Sequence, residues 1–582
     1  MNYREVSEIR DGMRIDWDVP VEMEDGLVLR ADVYRPVADG RYPVILTCGP
    51  YGKWLHFEDL YSEQWRRMCE EHPDVPTGST NKYQNWEVVD PEKWVPDGYA
   101  VVRVDSRGAG RSPGLLDLWS LREARDYYHC IEWAARQPWS SGKVGLNGIS
   151  YYAMNQWQAA ALQPPHLAAI CVWEGAADYY RDLSHHGGIY CTFADTWFPK
   201  QIIPVQYGQG TKSYRSRMNG DWVSGPETLS EEELGATRRD FAVDCYANTL
   251  ASDEYWTSRM PDWSKVKVPL LSSANWGGQG LHPRGNFEGF VRAASQEKWL
   301  EVHGIEHWTE FYTDYGVRIQ KRFFGHFLKG EDTGWARQPR VALLARHPGE
   351  RFVERHENEW PLKRTQWTKF YLHPEHTLST EAPKKAGSVT YGGLSDGVTF
   401  LTAPLAQETE ITGPIAAKLW VSSATEDADL FLVVRVFAPD LKEITFMGAL
   451  DPHTPIAQGW LRASHRKLDK ALSLPYRPYH THDEIQKLKP NEICELDIEV
   501  WPTCVVVPAG YRIGLTVRGR DYEWPGGTVR GLGNLNAVFT GVGPFRHNDP
   551  RDRPAAVFGG DVTLHIGAER QACVLLPIIP LK

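Results

Sequence analysis

A parallel α/β domain, interrupted by an insertion and followed by an all-β domain, is the architecture this 582-residue sequence predicts. Three observations carry the prediction. Short apolar runs alternate with helix-spaced segments over residues 42–175 and again over 266–330, the pattern of a parallel sheet covered on both faces. Between them, from Ala177 to Trp263, the rhythm is lost. Beyond Gly334 strand-like segments follow one another with turn signals and no long helical stretch.

The first stretch, "MRIDWDVPVEMEDGLVLRADVYRP", alternates apolar and polar residues around a turn at Glu24-Asp25-Gly26 and reads as antiparallel strands. "YPVILTCGP" (42–50), "YAVVRVDSRGAGRS" (99–112), "KVGLNGIS" (143–150) and "LAAICVWEG" (167–175) each begin as a buried strand. Between the second and third, "LREARDYYHCIEWAARQP" places Ala124, Tyr127, Tyr128, Ile131 and Ala134 at helical spacing. Residues 177–263, rich in aromatic and charged side chains, are read as a mostly helical insertion. "VKVPLLSSANW" and "KWLEVHGIEHW" resume the sheet, and "DYGVRIQKRFFGHFLKG" closes it with a helix ending at Gly330. The expected parts are therefore 1–176 and 264–334 for the α/β domain, 177–263 for the insertion, and 335–582 for a β sandwich or jelly roll.

Net charge is −11, and no basic stripe or block appears, so nucleic acid is an unexpected partner. No run approaches the roughly 18 apolar residues of a membrane span, and the first residues have no secretory apolar core. Nine scattered cysteines, none in a C-x-x-C pair, argue for free thiols in a cytoplasmic protein and against a zinc site. With 24 Trp and 26 Tyr, the chain is well supplied with side chains that join an apolar face to a polar handle.

In an open parallel sheet, reactive groups gather at the carboxyl ends of strands. Ser150 stands at one such end, between "KVGLNGI" and a helix, with Gly148 supplying the small neighbour a sharp turn needs. Such a turn exposes a hydroxyl at a helix N-terminus, where developing negative charge is favoured; a plain helix-capping serine is the alternative. His307 follows the strand "KWLEVHG" and can take and return the serine proton. Glu174 follows "LAAICVW" and can fix the imidazole tautomer. No acid occurs between Leu270 and Asn286, so position favours Glu174, with Asp178 in reserve. Tyr51, after "YPVILTCGP", can donate to an oxyanion, with the backbone N–H of Tyr151 as second donor. Trp54, Tyr190, Phe193, Trp197 and Phe198 are the expected wall of an apolar substrate pocket. No metal or cofactor is required.

The segments "GPYGK", "DSRGAGRSPG", "GISYYA", "ADYYRDL", "GIEHW" and "GWLRASHR", in this order, resemble the cocaine-esterase and X-prolyl dipeptidyl-peptidase superfamily, the CocE/NonD hydrolases. The resemblance implies an α/β-hydrolase domain with an inserted helical cap and a C-terminal jelly roll. It also implies Ser150 as nucleophile, His307 as base, and Tyr51 with the Tyr151 backbone as oxyanion hole. The loop Asp105–Ser112 becomes structural, with Arg107 positional. Two departures stand out. Ala153 replaces the usual last glycine of the serine motif. Where the family carries its triad aspartate, this chain reads "SANWGGQG", with Gly277 and Gly278 in the expected place.

The expectation is a serine hydrolase that acts on small-molecule carboxylic esters, or less often amides, through an acyl-enzyme on Ser150. An X-prolyl or aminoacyl peptidase, or an α-amino-acid ester hydrolase, would need acids such as Asp178, Asp182 or Asp195 to hold an ammonium. Acyl transfer to another acceptor is a third reading. A binding scaffold with a decayed site is the reading from another class. The broad β face also offers a surface for homo-oligomers.

Overall fold

The computed structural model describes residues 6–527, 529–530 and 538–580; the start of the N-terminal stretch read above, Met1 to Glu5, lies outside them. Strands β1 (Val6–Arg10), β2 (Met13–Glu22) and β3 (Val28–Pro36) form the antiparallel entry. The turn from β2 to β3 needs Gly26, whose φ of 80° is in the left-handed region. β3 then pairs antiparallel with β5 (Ala100–Asp105). From β5 the sheet runs parallel through β4 (Tyr42–Gly49), β6 (Ser140–Ile149) and β7 (Leu167–Trp173). A two-strand hairpin, β8 (His185–His186) and β9 (Ile189–Tyr190), stands apart from this sheet. The parallel order resumes with β10 (Leu270–Asn275) beside β7, then β11 (Lys298–His303) and β12 (Val341–His347). β13 (Arg351–Glu357) closes the edge antiparallel to β12.

The central strands are buried on both faces because helices cover both. The helix Leu121–Ala135 starts at Ser120, whose hydroxyl accepts from the Glu123 N–H, and buries Ala124, Tyr127, Cys130 and Ile131. The helix Tyr151–Ala161 is buried throughout, with Trp157 wholly enclosed. Asp314–Phe324 begins at Thr313, which caps Gly316, and presents Ile319, Phe323 and Phe324 to the core.

Residues 177–263 hold short helices rather than a long bundle: Phe193–Trp197, Glu231–Ala236, Phe241–Ala247 and Glu254–Thr257. Pro199, Pro204, Gly208, Gly210, Gly220 and Gly225 break the chain between them, so the aromatic content fills a core instead of extending helices. Beyond β13 the chain is almost entirely β. The long strand Thr409–Ser423 pairs antiparallel with Cys494–Val507 on one side and with Asp561–Ile566 and Cys573–Ile579 on the other. Asp429–Phe437 pairs with Ala457–Arg462 and Arg512–Arg518. Alternate residues such as Leu419, Val421, Leu430, Leu432, Leu515 and Val517 share one apolar core.

These parts are fastened by buried charge. Arg284 binds Asp182 of the inserted segment at 2.9 Å and Glu499 of the C-terminal part at 3.0 Å. Arg181 donates to the carbonyls of His480 and Thr481. All nine cysteines are free.

Candidate active site

Four non-glycine residues around the carboxyl end of the sheet hold positive φ: Glu87 (64°), Ser150 (55°), Glu174 (49°) and Ile305 (60°). Such backbone is costly for residues with a Cβ and persists where surrounding bonds enforce it. Here they do. The Ile149 N–H donates to the Glu87 carbonyl, Ser150 N–H to Trp173, and Glu174 N–H to Ser273. The Asn275 side-chain amide donates to the Ile305 carbonyl. At the serine turn, a Cβ on Gly148 would sit 2.5 Å from the Tyr152 Cβ, so only glycine fits. Ala153, fully buried, fits without a further glycine.

The structure brings Ser150, His307, Tyr51, Phe193 and Trp197 to the wall of one cavity of about 540 Å³, counted out to its open mouth. His307 Nδ1 lies 2.7 Å from Glu174 Oε2. Glu174 Oε1 lies 3.1 Å from His303 Nε2 and accepts from the Asn275 amide at 3.2 Å. His303 Nδ1 in turn meets Glu301 at 2.9 Å. Burial pushes the Glu174 carboxyl up, but His307 and His303 outweigh it and hold it down at about 2. Burial pulls His307 down, and Glu174 and Glu87 outweigh it, raising the imidazole to about 10. His282 stacks on His307 at 4.9 Å.

Glu87 is the residue that sequence reasoning missed. Its Oε1 lies 2.8 Å from His307 Nε2, the nitrogen that faces a serine in a proton-relay triad. Burial raises this carboxyl to about 7 against the pull of His307. Glu87 sits in a loop rather than at a strand end, so the positional rule that selects Ser150, Glu174 and His307 does not reach it. The only signal was a lone acid inside the run Trp86-Glu87-Val88-Val89.

The glycine pair in the family's aspartate position has a packing cause. A Cβ on Gly277 would lie 2.4 Å from the Gly448 Cα and 2.8 Å from the Met447 carbonyl. The same loop ties the site together: Ala449 N–H donates to Gly277 and the His307 N–H donates to Ala449, each at 3.0 Å. A side chain at 277 is therefore excluded, and Glu174 reaches the imidazole from the neighbouring strand.

Tyr51 is buried, lines the cavity and packs edge-on against Trp197 with ring centroids 6.5 Å apart. Burial pushes that phenol well above its ordinary value, so it stays a neutral donor. Tyr151 opens the helix, so its N–H has no partner within it. Three of the expected pocket residues lie elsewhere. Trp54 donates to Asp32 and is sandwiched by Lys53 and Arg111, because that buried charge cluster draws its indole away from the cavity. Tyr190 is held by Asp195 at 2.9 Å. Phe198 packs against Phe241 inside the inserted segment. Asp178 is committed to Arg181 at 2.7 Å and to capping backbone N–H groups, away from His307. Arg107 pairs with Asp126 and Asp25, a positioning contact.

The model of the X-Pro dipeptidyl-peptidase (S15 family) matches residues 25–309, and that of the X-Pro dipeptidyl-peptidase C-terminal non-catalytic domain matches residues 333–530. The chain is similar to cocaine esterase of Rhodococcus sp. (strain MB1 Bresler), 24% identical over 87% of this chain and 90% of that protein. An α-amino acid ester hydrolase structure shares the fold at 14% identity, with a TM-score of 0.64 over 97% of each chain. Fold and relatives together define a serine hydrolase. A solved CocE/NonD family hydrolase from Staphylococcus aureus is 32% identical, with a TM-score of 0.82 over 98% of this chain and 94% of that one. The chain belongs to the CocE/NonD hydrolase family.

Proposed function

We propose that the chain hydrolyses carboxylic esters through an acyl-enzyme on Ser150, with His307 as general base, Glu174 as its orienting acid, and Tyr51 and the Tyr151 N–H receiving the oxyanion. The observation that carries this reading is the 2.7 Å Glu174–His307 contact beside a strained serine that lines the same cavity. Glu87 holds the resting imidazole by Nε2. Loss of the Nε2 proton to solvent, which Glu87 and Glu174 both oppose, leaves neutral His307 with a bare nitrogen. That nitrogen takes the Ser150 proton as the hydroxyl attacks the ester carbonyl and later returns it to the leaving alcohol. Water then repeats the sequence on the acyl-enzyme. Each oxyanion donor contributes about 3 kcal/mol in the transition state.

The wall formed by Phe193, Trp197, Leu281 and Phe545 suits an apolar acyl or alcohol group. A fluorophosphonate probe should label the folded protein, and the label should vanish in Ser150→Ala. An unlabelled folded wild type would favour the scaffold reading. One observation favours a second substrate class: Glu87 places a carboxyl on the cavity wall, where a substrate ammonium could pair with it. Asp178 and Asp182 are paired to arginines and Asp195 is bonded by Tyr190, so Glu87 is the anion this reading rests on. Comparing p-nitrophenyl esters with their α-amino counterparts separates the two. The paired antiparallel layers around one apolar core support a jelly roll for the C-terminal domain.

A further inference from the structure

Away from the serine, three buried side chains from two distant parts of the chain converge. His186 ends strand β8, Cys191 follows strand β9, and His547 lies in the C-terminal domain. His186 Nδ1 faces His547 Nε2 at 2.8 Å, and the Cys191 Sγ lies within 4.8 Å of a ring nitrogen of each histidine. All three are essentially inaccessible to solvent.

The outer nitrogens of both imidazoles are already assigned. His547 Nδ1 meets the Asp521 carboxylate at 2.8 Å, and the other Asp521 oxygen accepts the His547 backbone N–H at 2.7 Å. His186 Nε2 meets the Asp182 carbonyl at 2.9 Å, and the Gly280 carbonyl also lies against this ring. A carbonyl and a carboxylate only accept, so each outer nitrogen must carry the proton of its neutral ring. Both inner nitrogens then present lone pairs to one another. Two lone pairs facing at 2.8 Å repel unless a shared proton or a metal ion engages both nitrogens. A carboxylate or carbonyl on the far nitrogen of each histidine is also how proteins orient imidazole ligands toward a metal.

The surroundings are built rather than incidental. Ile189, Phe431, Trp460 and Trp501 form an apolar shell, and His186 lies 4.8 Å from the Trp460 ring. The two segments are pinned side by side: Thr192 N–H donates to the Arg546 carbonyl at 2.8 Å, and Tyr190 N–H to Asp552 at 3.1 Å. Gly187, in the hairpin turn, touches the backbone of Trp460 so closely that no Cβ fits.

We propose that His186, Cys191 and His547 form a structural site for a borderline divalent cation of the zinc class, which clamps the β8–β9 hairpin to the C-terminal domain. Two imidazoles and a thiolate are the donor set such ions select. The clamp lies next to the catalytic cavity in the chain, since Phe193 and Phe545, each two residues from a ligand, line its wall.

Untagged full-length protein, stripped with chelator and dialysed against ZnCl2, should retain about one zinc per chain by elemental analysis. Added zinc should raise its Tm, since a ligand bound only by the folded state stabilises it. Loading with Co2+ should give a thiolate-to-cobalt charge-transfer band in the near ultraviolet. Cys191→Ser should lose that band, and His547→Ala should lose stoichiometric zinc, each checked for folding by circular dichroism. His282→Ala controls for the second cluster, Glu174, His282 and His307, in the catalytic cavity. Wild type that binds neither ion would overturn the proposal. So would a cobalt band that survives in Cys191→Ser, or zinc binding abolished by His282→Ala alone.

Discussion

At the scale of single residues, the site is a contest for one imidazole. Glu174 and Glu87 flank His307 and both favour its charged form. Replacing Glu174 with Gln removes the acceptor that fixes the tautomer, and kcat should fall at least about a hundredfold, by analogy with the wrong-tautomer effect in serine proteases. Near-normal turnover in a folded Glu174→Gln variant would move the orienting role elsewhere. Glu87→Gln acts in the other sense. Losing one anion beside His307 lowers its pKa, so the base is free at lower pH. The acidic limb of the kcat/KM profile should move down by about one unit, the size expected for a neighbouring charge. A limb that stays in place would show that Glu87 does not govern the base. Ser150, His307 and Glu174 were legible from sequence because strand ends in a parallel sheet fall at predictable points. Glu87 was not, because a loop carries it and its reach is set by the bond from Ile149 N–H to its own carbonyl.

At the scale of elements, the strand and loop after β10 show how packing relocates a function. The loop Met447–Ala449 occupies the space that a side chain at 277 would need and also accepts the His307 N–H. Gly277→Ala should push this loop outward and shift the histidine with it. A lower kcat with intact Ser150 labelling is the expected outcome, read by steady-state kinetics beside probe labelling; unchanged kcat would mean that the loop gives way without moving His307. The parallel strands and the helices Leu121–Ala135 and Tyr151–Ala161 were legible because their apolar spacing is regular. The inserted segment was less so. It reads as mostly helical, but its prolines and glycines cut the helices into short pieces and turns whose packing is decided by neighbours far away in sequence.

At the scale of the whole molecule, Arg284 is the keystone between three regions, since it is buried and bonds Asp182 and Glu499 at once. Arg284→Met leaves the buried Asp182 and the partly buried Glu499 carboxylates without their partner, a loss of about 3 kcal/mol, the low end of the usual cost of breaking a buried pair. Calorimetry should show a lower Tm and, with the bridge gone, a transition that separates into more than one step. A single unshifted transition would show that the apolar contacts alone couple the regions. The convergence of His186 and Cys191 with His547 illustrates the same limit on sequence reading: spacing along the chain reveals nothing about ligands that meet only after the domains dock.

Ala449, Leu450 and Phe545, all from the C-terminal half, line the cavity that holds Ser150. The proposed reacting groups and part of the cavity wall thus reside on separately mutable stretches of polypeptide. Selectivity can drift through substitutions at these three positions while the chemical trio stays untouched, and a library randomised there is the economical place to retune what this hydrolase accepts.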